Sequence, residues 1–186
     1  MAVVESTSTF NADPASGAPG GFTLVELMGV VAVAAIVLTL GVPSFFTLIQ
    51  NNRAATQVNE LVMALSLARS EAVKRGVPVS MCPSKDQSKC SGGKDWQVGW
   101  LVFVDAAAAE SADPVVGEVL RVWPKMTGVT GFSGPTSLRY LAEGDVRAGA
   151  VFKHTKKGCP ANKPEARTVT VSPTGRASVA PAGCLI

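Results

Sequence analysis

The hydrophobic and polar positions of this chain follow three successive patterns. Between Leu27 and Asn52 no side chain is charged, and Leu27 to Pro43 reads LMGVVAVAAIVLTLGVP, with Thr39 as its one polar residue. A helix needs about 20 apolar residues to cross a hydrocarbon layer, so residues 22–49 are predicted to form a membrane-spanning helix. From Arg53 the pattern becomes that of an amphipathic helix. Ala54, Val58, Leu61, Leu65, Ala68 and Ala72 recur at intervals of four and three and mark one stripe of its surface. Most of the charged residues around them lie off that stripe, and Gly76 and Pro78 supply the stop signal. Residues 50–76 therefore continue the first helix into a head, for a total length of roughly 80 Å at 1.5 Å per residue. Gly41 and Pro43 fall inside it. Proline removes a helix hydrogen bond and clashes with the preceding turn, so a kink or local melting is expected there.

After Gly76 the period falls to two. Val77, Val79 and Met81 alternate with Pro78, Ser80 and Cys82. A polar loop with Gly92-Gly93 follows, and then Trp96, Val98, Trp100, Val102 and Val104 alternate in WQVGWLVFVD. These two segments should pair as a hairpin. Further short strands are expected at Val115–Trp123, Leu138–Leu141, Ala150–Lys153, Thr168–Ser172 and Ala177–Ala180. One long helix followed by many short strands predicts an α+β subunit whose residues 77–186 form a β-rich head of short antiparallel strands.

Glu26 changes this picture, because it stands alone at the start of the apolar run. A carboxylate in a membrane helix costs roughly 2.5–3.5 kcal/mol on insertion scales, which points to a function and a positive partner. A cleavable secretory signal fits poorly, since its cleavage site follows the apolar region. The chain has 186 residues, enough for one domain besides the helix. Residues 1–21 hold Glu5 and Asp13 and no Lys or Arg, so they are acidic, and the remainder is mildly basic. That balance permits an acidic or nucleic-acid partner without requiring one.

Cys82, Cys90, Cys159 and Cys184 all follow the apolar run, and an even count beyond a membrane segment suggests disulfides. Of the three connectivities, local spacing favours Cys82–Cys90 with Cys159–Cys184. Zinc, with His154 as an extra ligand, is the competing reading, but no C-x-x-C pair is present.

Gly21-Phe22-Thr23-Leu24-Val25-Glu26-Leu27 and the apolar helix behind it resemble the N-terminal signature of type IV pilins and pseudopilins. The resemblance implies that residues 1–21 are a leader, cut by a prepilin peptidase after Gly21, with methylation of the new N-terminal Phe22. It implies that Glu26 partners the N-terminal amine of a neighbouring subunit. Trp96 to Asp105 and Val169 to Arg176 in turn look like the FimT/FimU/GspH minor pilins and pseudopilins. A pilin-like fold follows, with a single-pass chain in the bacterial inner membrane, its head in the periplasm, that later enters a pilus or pseudopilus. The implied partners are other major and minor pilins, the prepilin peptidase and the inner-membrane assembly platform.

Nothing in the chain reads as an enzyme or calls for a cofactor or metal. His154 is the only histidine, it lies in a basic run that reads as surface, and no nucleophile elbow or phosphate-binding glycine loop is present. The basic residues between Ala150 and Ser178 are candidates for contact with double-stranded DNA, through charge rather than sequence. Lys156, Lys157, Lys163 and Arg176 are the ones singled out. Some FimT proteins bind DNA through a G-R-x-R motif; here Gly175-Arg176-Ala177-Ser178 matches it except at Ser178. The expected function is that of a type IV pilus minor pilin, with a type II secretion pseudopilin as the alternative. Cys159 and Cys184 favour the pilus.

Overall fold

The structure is a computed structural model that describes residues 21–107, 109, 112–159 and 165–184. The expected leader, apart from Gly21, lies outside the described residues. Helix α1 spans Leu24–Arg75 and is followed by eight strands: β1 Val79–Pro83, β2 Trp100–Asp105, β3 Val116–Trp123, β4 Val129–Ser133, β5 Leu138–Tyr140, β6 Ala150–Lys156, β7 Ala166–Val171 and β8 Ala177–Ala182. The chain divides into two compact units, Met1–Pro43 and Ser44–Ile186.

In the first unit α1 begins where Thr23 caps it, the Thr23 hydroxyl accepting from the Glu26 amide at 3.2 Å. The described side chains from Leu24 to Leu38 are all exposed. An uncovered helix that is apolar apart from Glu26 in its first turn suits lipid or another apolar helix rather than water.

In the second unit every residue of the amphipathic stripe is buried, from Ala54 to Ala72. That face packs on two four-stranded antiparallel sheets, ordered β3-β2-β1-β5 and β4-β6-β7-β8. The core between them is aromatic, and Trp96, Trp100, Phe132, Phe152 and Tyr140 are fully buried. Trp96 meets Phe152 edge-on, with ring centroids 4.9 Å apart. At the top of α1, Gly76 takes φ 65°, a left-handed conformation that costs glycine nothing, and closes the helix. β1 then pairs with β2 as a hairpin, Cys82 opposite Leu101.

Three elements differ from the sequence reading. Strand β6 runs on to Lys156, past the expected end at Lys153. The WQVGW strand begins at Trp100, not Trp96, because Gln97 and Val98 form a turn and Gly99 has φ 100°. A side chain at Gly99 would run into the Trp123 carbonyl. Trp96 is held by other means, its indole N–H donating to the Pro135 carbonyl at 2.8 Å. Strand β4 was not expected. Gly128, Gly131 and Gly134 give that stretch the look of turns, but pairing with β6 makes it a strand.

Candidate functional site

Gly21 and Phe22 lie exposed immediately before the helix. Glu26 follows in its first turn, where a carboxylate complements the free N–H groups of the helix start. Among the described residues it has no ion-pair partner within the chain, and an apolar surface surrounds it on the helix. Gly41 and Pro43 lie within α1, and since residue 43 has no N–H, the Thr39 carbonyl lacks its helical donor.

The basic run of the head does not form one surface. Its sequence Phe152-Lys153-His154-Thr155-Lys156 belongs to β6, whose side chains alternate in and out. Phe152, His154 and Lys156 point inward, so the reading of this run as surface is corrected. Lys156 is 3% exposed. Its ammonium pairs with Glu165 at 2.6 Å and donates to Asn51 Oδ1 at 2.6 Å, which removes it from the DNA-contact candidates. Lys157 is exposed at the end of β6, and Arg176 is exposed before β8. The register pairs Ala150 with Val171 and Val171 with Ala177, so Arg176 sits at the opposite end of the sheet from Lys157. About six residues of strand, roughly 20 Å, separate them. Lys163 lies outside the described residues.

Arg176 is nonetheless held in a defined turn. Gly175, with φ 76°, sits so close to the Gly144 carbonyl that no side chain fits. Arg69 of α1 donates to the Gly144 carbonyl at 2.9 Å and to the Thr174 carbonyl at 3.0 Å. The helix thus ties down both turns at this end.

Inside the opposite end lies a polar cluster that the sequence reading missed. His154 is fully buried, with Nε2 2.9 Å from Gln57 Oε1. Gln57 donates on to the Thr127 carbonyl at 2.9 Å. Burial, aided by the Arg167 charge, pushes the imidazole down to about 4. It is therefore neutral at physiological pH, and its ring faces an amide rather than a nucleophile. The four cysteines are paired Cys82–Cys90 and Cys159–Cys184. The first closes the loop after β1; the second joins the chain beyond β6 to the chain beyond β8.

The sequence model of the GspH family, described as type II transport protein GspH, matches residues 57–175. No curated protein matches the chain. Among solved structures, the type IV minor pilin FimU of Pseudomonas aeruginosa PAO1 is similar in fold: it is 22% identical with a TM-score of 0.51, over 74% of this chain and 92% of that one. A second crystal form of FimU gives 23% identity and 0.47 over 69% and 90%. The minor pseudopilin EpsH of the Vibrio cholerae type 2 secretion system gives 14% and 0.46 over 69% and 97%.

Proposed function

The chain belongs to the GspH family of minor pilins and pseudopilins, and from that membership we propose that it is a non-enzymatic minor subunit of a type IV pilus that helps to prime its assembly. The observation that carries the filament-subunit reading is Glu26, a lone acid at the start of an uncovered apolar helix directly behind Gly21 and Phe22; the Cys159–Cys184 disulfide favours the pilus over the pseudopilus. A prepilin peptidase cleaves after Gly21 and the new Phe22 is methylated. Residues 22–49 anchor the chain in the inner membrane and then enter the filament core, with a kink at Gly41 and Pro43. Glu26 accepts the N-terminal amine of the adjacent subunit, which compensates its burial among apolar helices. Residues 50–76 carry the periplasmic head, and other major and minor pilins and the assembly platform are its partners.

The test is genetic. Deleting the gene should abolish or thin surface pili, and the wild-type gene should restore them. Glu26→Ala should leave membrane insertion intact, because it removes a cost, and should fail to restore pili. Loss of protein secretion with normal pili would instead support the pseudopilin reading.

Contact with double-stranded DNA is a second reading, favoured by one observation, the exposed Arg176 on its tied turn. Binding through so few charges is weak, insensitive to sequence and steeply salt-dependent. Arg176→Gln should flatten the log–log salt slope by about one unit. Ser178→Arg, on exposed β8, should strengthen binding. No shift of DNA by the head at low salt, with or without Ser178→Arg, would rule this contact out.

A further inference from the structure

The head has two ends that differ in charge. Arg75 meets Glu118 at 2.7 Å at one end. There, basic residues stand among Glu71, Asp113, Glu118, Glu143 and Asp145. At the other end the helix leads out towards Ser44, beside the loops after β1, β3 and β6. Contacts from Asn51 to Lys156 and from Gln57 to Thr127 define that end.

Arg53, Lys125 and Lys157 are exposed there, and among the described residues none of them makes an ion pair. Arg53 and Lys125 both line an open hollow of about 380 Å³, which Thr56, Gln57 and Glu60 also line. The Arg53 guanidinium lies against Gly128, where an added Cβ would come within 2.9 Å of Nη1. The Gly128 carbonyl in turn accepts from the Lys157 amide at 3.1 Å. The three cations therefore share one rim. Of the acids nearby, Glu165 is taken by Lys156, and only Glu60 shares the hollow. The loop after β1 adds Lys85, Lys89 and Lys94 at this end against two acids, Asp86, which Lys89 engages at 3.6 Å, and the exposed Asp95, which accepts from Gln97 at 3.1 and 3.2 Å.

The helix leaving this end is apolar and bare. Phe45, Phe46, Leu48 and Ile49 are all exposed, and Arg53 is the first charge after Glu26. If an apolar run of this length occupies the hydrocarbon layer, its headgroup layer falls at the residues just past Ile49. We propose that the rim of Arg53, Lys125 and Lys157 seats the head on anionic phospholipid headgroups while the chain waits in the membrane. The proposal rests on the membrane-anchored reading above. Each basic side chain near an anionic lipid surface strengthens its attachment about fivefold, and salt screens the attraction.

The test uses the full chain inserted into lipid nanodiscs, either of phosphatidylcholine alone or of phosphatidylcholine mixed with phosphatidylglycerol. Amide hydrogen exchange is followed by mass spectrometry. Residues 124–129 and 155–158 should exchange about fivefold more slowly, or slower still, in the anionic discs. The difference should vanish in high salt and in the triple variant Arg53→Gln, Lys125→Gln, Lys157→Gln. Arg176→Gln, at the far end, should leave it intact. Equal exchange in both kinds of disc would overturn the proposal. So would slowing by added double-stranded DNA but not by phosphatidylglycerol, which would make the rim a nucleic-acid surface. A chain that fails to insert into either disc would overturn the anchor itself, and that result is told apart from the others before any exchange is measured.

Discussion

Residues that look alike in the sequence act differently in the head. Lys156 and Lys157 are neighbours in a basic run, yet one is a buried tie between Glu165 and Asn51 and the other is a surface cation. The signal that separates them is the period of two set by Phe152, which carries His154 and Lys156 inward with it; reading charge before alternation hides it. Two predictions belong here. Glu165→Gln leaves the Lys156 ammonium buried without its counter-charge and should cost about 3 kcal/mol, since breaking such pairs is costly even when the pair itself adds little. Thermal melting of the head, residues 50–186, checks it. His154 titrates at about 4 in the fold and near 6.5 when unfolded. Between those values the unfolded chain holds a proton that the folded chain refuses, so stability is full above pH 6.5 and falls as the pH drops towards 4. The loss at pH 5 is about 2 kcal/mol. Urea titrations of the head at pH 7 and pH 5 should reveal it, and in His154→Gln the same pH step should have little effect.

At the scale of elements, the long helix was the most legible part of the chain. Its stripe from Ala54 to Ala72 is buried throughout, because spacing at 3.6 residues per turn is written directly in the positions of Val58, Leu61 and Leu65. The strands were legible in part: β1 and the first half of β6 were expected, but the alternation of β6 runs on to Lys156 and β2 begins only at Trp100. They were illegible where pairing overrides composition. β4 carries a glycine in its middle and exists because β6 offers it a partner. Trp96 continues an alternating pattern, yet the turn at Gly99 separates it from β2. Leu61→Ala, at a fully buried position in the core cluster, should cost about 3 kcal/mol in urea unfolding. Gly175→Ala forces a Cβ against the Gly144 carbonyl. It should shift the resonances of Arg176 and Gly144 and lower the melting temperature, whereas Ser178→Ala, on the exposed edge strand, should do neither.

For the whole molecule, the sequence made the class legible through a short signature at Gly21, Phe22 and Glu26 and left the surface of the head unread. The ends of the head differ in charge only once the registers bring Arg53, Lys125 and Lys157 together, and these residues are scattered across the chain. The second disulfide, Cys159–Cys184, closes a separation of 25 residues and fastens the last strand, β8, whose side chains are largely exposed. Replacing both cysteines by serine should destabilise the head by about 3 kcal/mol, with the loss first visible as faster amide exchange in β8. The central claim is that this chain is a processed subunit of a filament. Mass spectrometry of pili sheared from cells with an active prepilin peptidase tests it most directly. The predicted result is this protein within the filament fraction, at low abundance, its N-terminal peptide beginning at a methylated Phe22. A chain absent from intact pili, or still carrying residues 1–21 in the membrane of those cells, would contradict it.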